Sequence, residues 1–403
     1  MKKSHIDWCP VIPDHWEEKR IKDIAFLQSG NSITAMDIAE EGKYPVYGGN
    51  GLRGYTNNYT NDGDYVLIGR QGALCGNINY AYGKFYATEH AVVVYTKNEE
   101  ITYWLGETLK AANLNRLSMT AAQPGLAVST LNIQFIPYPP RKERIRIANY
   151  LAEKCTEIDT QVSLLTSKRD AYLRLKKSII NHVVTHGLNP NVKMKDSGIE
   201  WIGEVPEHWE VKRMKDICDY ISRGSTPGYV DEDYQKVMNQ GTFSKGWIDE
   251  SNIRYTKVGK SGAHIKKGDL LMASTGGGVL GKILYFDSID ENYYADSHVT
   301  IMRNSKGINS MKFLFYHFSL RFDEINATMT KGSTNQTELQ RYELLSHKVA
   351  IPPLPEQHAI ATYLDDKCAK IDTILSNLNK QISCYGDLKR SLIDEVITGK
   401  RAV

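Results

Sequence analysis

Residues 276–282 read GGGVLGK, which sets two glycines and a lysine at the spacing of a phosphate-cradling loop. Such a loop needs Ser or Thr next, to hold magnesium, and a helix N-terminus behind it. Ile283 stands at that position, and the following ILYF reads as a strand. The related stretch 71–77 lacks the lysine. The reading is therefore a glycine-rich β-turn, with Lys282 free to touch a phosphate, and not an NTPase. His90 and His298 could serve acid–base chemistry, but each stands alone in a strand-rich stretch and reads as structural. The six cysteines form no CxxC pair, which argues against a zinc ribbon and against a secreted disulfide framework. There is no HExxH, GxSxG or GxGxxG, no Asn-Pro-Pro-Tyr/Phe, and no glycine-rich acidic cofactor loop after a first strand. The chain reads as catalytically empty, with no metal site and no catalytic residues.

The remaining chemistry is that of binding, and it lies in loops. The first half offers Arg53, Arg70, Gln71, Lys84, Arg116 and Gln123. The second offers Arg223, Thr226, Lys245, Lys260, Lys266, Thr275, Lys282, Lys331, Ser333, Asn335 and Gln336. Arg forks onto guanine and Gln or Asn onto adenine, while Lys more often meets phosphate. For any single residue the default is a solvated surface role. Gln123 with Gln336, and Arg70 with Thr275, are the sharper candidates, because an internal repeat places them opposite each other.

That repeat is what must position these loops. Residues 6–24, IDWCPVIPDHWEEKRIKDI, recur at 199–217 as IEWIGEVPEHWEVKRMKDI, an offset of 193. The offset is 205 where Gly63-Asp64 faces Gly268-Asp269, with Gly72 against Gly277, Gly76 against Gly281 and Ile78 against Ile283. It is 208 where His90 faces His298, and 213 from Gln123/Gln336 to the end. A monotonic series is the mark of a duplication with insertions in surface loops. Each half has an opening segment, then β-type runs such as DYVLIG, HAVVVY, DLLMAS and HVTIMR. Helix-like stretches follow at 99–115 and 308–326, then a polar loop, then a proline-rich strand end. The matched clusters EEKRIKD and EVKRMKD read as a solvated helix face or a partner contact.

After each proline cluster comes a helix of about 40 residues with a heptad stripe. In the first, Leu151, Ile158, Leu165, Tyr172 and Ile179 fall at d, and Cys155, Val162, Arg169, Lys176 and Val183 at a. In the second, Leu364, Ile371, Leu378, Tyr385 and Leu392 fall at d, and Cys368, Leu375, Ile382, Lys389 and Val396 at a. A lone helix about 60 Å long would expose an apolar seam, and the simplest partner is the other copy. Pseudo-twofold symmetry favours antiparallel packing. Lys176 and Lys389 at a would cost stability but fix register. The fold class is α+β: two homologous mixed domains, 1–140 and 188–353, separated by helices 141–187 and 354–403 packed as an antiparallel coiled coil. Such a frame is a ruler, spanning at most about 17 base pairs at about 3.4 Å each.

Composition bounds the class. The chain has 403 residues, 41% hydrophobic and 24% charged, with a net charge of +3. These are globular values, and a near-neutral total neither demands nor excludes nucleic acid. No run approaches the roughly 20 apolar residues of a membrane span. The N-terminal MKKSHIDWCP has no apolar stretch after its lysines, so a reduced cytoplasmic protein is expected.

The motifs I-x-W-x(4)-P-x-H-W-x(2)-K-R-x-K-D-I, PPLPEQHAIATYLDDKCAKIDTIL with its echo PPRKERIRIANYLAEKCTEIDTQV, LKRSLIDEVITGK and KGSTNQTEL carry a resemblance. Nearly end to end, the chain resembles the specificity subunit of a type I restriction–modification system. The first copy departs slightly, with Arg141-Lys142 for Leu354-Pro355 and Arg144 for Gln357. The resemblance implies two target recognition domains, each reading one half of a bipartite asymmetric DNA site. It implies helices that set the gap and dock two methyltransferase subunits. Those subunits would carry S-adenosylmethionine and flip an adenine for N6 methylation. A motor–nuclease subunit would add ATP- and magnesium-dependent translocation and cleavage, leaving no cofactor in this chain. The rival readings are a two-headed adaptor for protein or carbohydrate, and an enzyme with a composite site between the halves.

Overall fold

The computed structural model describes residues 1–403 apart from 73, 98–101, 119–124, 200–201, 232–233, 258–260, 291 and 333–336. The chain forms two compact units, Met1–Ser167 with Asn379–Val403, and Lys168–Leu378.

The first unit opens on a hairpin, Lys2–Ile6 against Cys9–Ile12. Its main sheet is antiparallel, in the order Ala25–Ser29, Ala91–Thr96, Tyr65–Gly69, Ile78–Ala81. Residues along these strands alternate between two cores. Val66, Ile68, Val92 and Val94 join the core that holds Trp104, while Leu67 and Val93 pack with Phe85 and Ala87 on the other face. Burial on both faces explains why VLI and VVV show no polar alternation. The second sheet supplies that outer cover. In it Lys84–Ala87 runs parallel to Tyr44–Gly48, which pairs antiparallel with Gly51–Thr56.

The second unit repeats the plan. Its main sheet runs Tyr220–Arg223, Val299–Arg303, Leu270–Ala273, Ile283–Tyr285. Leu270 and Met272 face one core, and Leu271 and Ala273 the other. Here too one pairing of the second sheet is parallel, between Gln235–Met238 and Tyr293–Ala295.

The expected long helices run Arg141–His186 and Leu354–Ile397. In the first unit Leu151, Cys155 and Ile158 share a core with Leu392, Val396 and Ile397. The start of one helix therefore packs beside the end of the other, which is antiparallel pairing. In the second unit the complementary ends meet, Ile180, Val183 and Val184 with Ile360, Leu364 and Cys368. Between these ends the expected seam positions Leu165, Tyr172 and Ile179, like Leu375, Ile382 and Tyr385, are half-buried, and Ile371 and Leu378 are buried.

Both helix starts are clamped by the opening motif. Trp16 Nε1 donates to Glu143 at 2.8 Å and His15 Nε2 lies 2.8 Å from the same carboxylate. In the second unit Trp209 Nε1 donates to Glu356 at 3.2 Å, with His208 Nε2 at 2.7 Å. A carboxylate in the first helical turn also suits the helix dipole. Burial works to raise the Glu143 carboxyl, but the Trp16 and His15 hydrogen bonds outweigh it and hold it below its ordinary value. Arg144 and Gln357, the departure noted between the copies, do one job: each buried side chain donates to the first proline carbonyl, Pro139 at 3.1 Å and Pro352 at 2.8 Å.

The clusters EEKRIKD and EVKRMKD are for the most part strand, which corrects the helix-face alternative. Glu17–Arg20 is a strand paired with Phe135–Tyr138, and Glu210–Arg213 pairs with Lys348–Ile351. Only Ile21–Ile24 and Met214–Ile217 are helical, one turn each. The charges do not mark a helix face because Ile21 and Met214 are the residues that turn inward. No helix among the described residues is long and apolar enough to cross a membrane.

Candidate nucleic-acid interface

In the second unit Leu270–Ala273 leads into a turn that returns along Ile283–Tyr285. Gly276, Gly278 and Gly281 adopt φ of 89°, 82° and 87°, a region open to glycine and strained for other residues. The turn therefore requires the glycines for its backbone, and a strand follows it, as the sequence reading expects. Lys282 is not free for phosphate: its Nζ donates to the Ser244 carbonyl at 2.7 Å.

Backbone hydrogen bonds fix how the two turns correspond. Arg70 N donates to the His90 carbonyl and Ser274 N to the His298 carbonyl. Leu126 N donates to Arg70 O, and Leu339 N to Ser274 O. Arg70 thus corresponds to Ser274, and Gln71 to Thr275. The sequence alignment, which faced Arg70 with Thr275 and Gly72 with Gly277, is one residue out. The extra residue lies inside the turn, where glycine matches alone cannot locate it; Gly72, with φ of 89°, is the counterpart of Gly276.

The corrected correspondence brings out an exchange. Val92 pairs with Ser29, and Thr300 with Arg223, so Ser29 and Arg223 are equivalent. In the first unit Arg70 Nη1 donates to Ser29 Oγ at 3.3 Å. In the second unit Arg223 Nη2 donates to the Ser274 carbonyl at 3.4 Å. Arginine and serine have traded strands, and each unit keeps one guanidinium at the same place. The two are differently engaged. Arg223 also donates to Leu339 O at 3.3 Å and lies 3.6 Å from Glu338. Arg70 has no further side-chain hydrogen bond among the described residues.

Beside each guanidinium sits the matched histidine. His298 Nδ1 lies 2.7 Å from Thr275 Oγ1, which also donates to Gln240 at 2.7 Å. His298 N donates to Asp296, whose carboxyl burial pushes above its ordinary value. In the first unit Thr88 takes the place of Asp296, with Thr88 Oγ1 accepting from His90 N at 3.3 Å. Gln71 stands exposed where Thr275 is tied down. The scaffold hydrogen bonds are the same, and the side chains presented are not.

The other candidates are dispersed. Arg53 is exposed on Gly51–Thr56, and Thr226, Lys266 and Lys331 are exposed in the second unit. Lys84 is engaged by Asp62 at 3.9 Å and by the Tyr59 ring at 4.7 Å. Arg116 donates to Ala112 O and Gln134, and Lys245 pairs with Asp249 at 2.8 Å. Gln123, Lys260, Ser333, Asn335 and Gln336 lie outside the described residues. A groove of 640 Å³ in the first unit is lined by Ser32, Asp37, Glu41, Asn57 and Tyr86, and its two carboxylates suit a polyanion poorly. Among the described residues no group of three or more His, Cys, Asp or Glu could hold a metal ion. A further candidate, absent from the residues singled out by sequence, is Trp247, 61% exposed. Its signal was present, since four of the six tryptophans fall in the repeated openings and Trp247 does not.

Comparison with known proteins agrees with this architecture. Residues 13–163 and 206–383 match the type I restriction modification DNA specificity domain. The chain is 41% identical over 157 residues to the type I restriction enzyme EcoprrI specificity subunit of Escherichia coli, a match spanning 38% of this chain and 39% of that one. It is 26% identical over 395 residues to a putative type I restriction enzyme specificity subunit of Haemophilus influenzae, covering 94% and 91% of the two chains. A solved structure described as the structural basis of complex assembly and conformational transition of the type I R-M system superposes with a TM-score of 0.72. That superposition covers 97% of this chain and 100% of that one at 15% identity, and it shows the fold. Since the matched domain covers both halves of the repeat, the chain belongs to the specificity subunits of type I restriction–modification systems.

Proposed function

We propose that each unit reads one half of a bipartite, asymmetric site in duplex DNA, and that the long helices set the unread gap between the halves. The observation that carries this reading is the Arg70/Ser29 and Ser274/Arg223 exchange on a common scaffold. Identical backbone hydrogen bonds hold each turn, so the frame presents a loop in the same way twice. The side chains on it differ, so two different base sequences are read. As a specificity subunit the chain is itself non-catalytic. Relatives are named as subunits of type I restriction enzymes, and a structural neighbour is described in terms of complex assembly. We assign to this chain the corresponding partners, two methyltransferase subunits and a motor–nuclease subunit, acting on cytoplasmic DNA. S-adenosylmethionine, ATP and magnesium belong to those partners.

A genome-wide map of methylated adenines, with and without this chain, tests the reading. The expected result is one bipartite motif that vanishes when the chain is removed. A motif that persists, or one that is continuous, overturns it. Binding of the assembled complex to that duplex falls steeply between low and moderate salt, because phosphate contacts release counterions.

A further inference from the structure

The two units differ most where the second sheet turns between its paired strands. In the first unit only Gly49 and Asn50 separate Tyr44–Gly48 from Gly51–Thr56. In the second unit residues 239–253 separate Gln235–Met238 from Arg254–Thr256. This insertion is pinned throughout. Asn239 Oδ1 accepts from Gly241 N at 2.7 Å and Thr242 N at 3.2 Å. Asp249 N donates to Thr242 O at 2.7 Å, and the Asp249 carboxylate takes Lys245 Nζ at 2.8 Å and Ser251 Oγ at 2.6 Å. Two further bonds tie the insertion to the glycine turn, Thr275 to Gln240 and Lys282 to the Ser244 carbonyl. The second of these has a counterpart in the first unit, where Asn77 reaches Asn50 at 3.5 Å. Lys282 is thus the clamp that holds a longer loop at the place where Asn77 holds a short one.

At the crest, after Gly246 with φ of 88°, stands Trp247. It is 61% exposed on a loop whose hydrogen bonds leave the backbone little freedom. Its neighbours in sequence are Lys245, Gly246, Ile248 and Asp249. A protein-binding hot spot sits within a ring of contacts that excludes water. A single indole flanked by the Lys245–Asp249 ion pair fits a base step or groove wall, where stacking is tolerant of sequence and one ring suffices.

We propose that Trp247 is a specificity-determining contact of the second unit, inserted against the bases of its half-site beside Thr275, His298 and Arg223. This rests on the half-site reading above. The insertion gives the second unit a contact the first has no loop to make.

The test uses the assembled methyltransferase complex and a duplex carrying its methylated site, with either half-site scrambled in turn. Trp247→Ala is expected to weaken binding to the intact duplex about 10-fold or more, the scale of one lost aromatic–base contact. The loss should vanish when one particular half-site is scrambled and persist when the other is. Trp247→Phe should restore most of the affinity. Unchanged binding by Trp247→Ala overturns the proposal, as does a loss indifferent to both half-sites. Unchanged thermal unfolding of the variant complex guards against a folding defect; Trp247→Lys, which keeps the loop and removes the ring, is the second variant and should lose the same half-site dependence. If the unsubstituted complex shows no sequence preference at all, it is the half-site reading that fails.

Discussion

Lys176 Nζ lies 2.6 and 2.7 Å from the two carboxylate oxygens of Asp372 on the facing helix. The repeat offset of 213 converts this pair into Lys389 and Asp159, which meet at 2.7 Å. A lysine at an a-type seam position costs stability and fixes register. The facing aspartate offsets the cost, and it does so only in one register. The Lys176 and Asp372 side chains are 27% and 54% exposed, so solvent screens the pair and its net contribution is at most about 1 kcal/mol.

Lys176→Glu should therefore lower the Tm by about 2–4 °C, because it sets two carboxylates against each other. Adding Asp372→Lys should restore most of the loss. Thermal unfolding of the unsubstituted chain, the two single variants and the double variant forms a double-mutant cycle, and a coupling near zero would mean the pair does not hold register.

Glu143 and Glu356 accept from both the histidine and the tryptophan of the opening motif. Glu143→Ala should cost about 1–3 kcal/mol, since it strands the buried Trp16 N–H and removes a carboxylate from the helix start. Glu143→Gln, which keeps an acceptor, should cost less. Denaturant unfolding ranks the two, and equal costs would show that charge and not hydrogen bonding dominates the clamp.

The second unit should weaken in mild acid. His317 and His347 are buried with Nε2 atoms 3.4 Å apart. Burial lowers both, His317 well below its usual value and His347 to about 4, with the Arg321 charge adding to each. The unfolded chain binds protons near pH 6.5 and the folded unit does not, so stability is full above about 6.5 and falls as pH drops toward 4. For His347 alone the loss approaches about 3 kcal/mol. Urea unfolding between pH 7 and 4.5 measures it, and His347→Gln should flatten the slope.

How much of this was legible in sequence follows from what each signal depends on. The heptads and the strand runs are local patterns: Leu151 and Leu364 fall where the heptad puts them, and Val66 lies within a continuous apolar run. The engagement of Lys282 is not legible in sequence, because its acceptor, the Ser244 carbonyl, lies 38 residues away on an insertion whose return path no spacing reveals. Composition alone speaks for a helix face in the charged clusters after the opening, while Glu17–Arg20 is set by pairing with Phe135–Tyr138 more than a hundred residues on. The exchange of Arg70 and Arg223 was hidden by one extra residue in a glycine turn. Alignment by glycines is blind to that residue, and only strand pairing reveals it.

That exchange separates two arginines that sequence alone would treat alike. Among the described residues Arg70 makes one long hydrogen bond, to Ser29 Oγ, and on that count its other donors are left for a base. Arg223 donates to the Ser274 and Leu339 carbonyls and lies beside Glu338, so its donors hold the turn together. Arg70→Ala should leave the Tm unchanged and weaken DNA binding by the assembled complex about 5- to 150-fold through one half-site, the worth of a good bidentate contact. Arg223→Ala should instead destabilise the second unit by about 1–3 kcal/mol, because it removes two hydrogen bonds from the turn, to the Ser274 and Leu339 carbonyls. Its effect on DNA should then arise from a loosened turn and be partly recovered by Arg223→Lys. Unfolding and half-site binding measured on both variants decide the matter: if Arg223→Ala behaves as Arg70→Ala is expected to, with intact stability and lost recognition, the two guanidiniums share one role and the hydrogen-bond difference carries no functional weight.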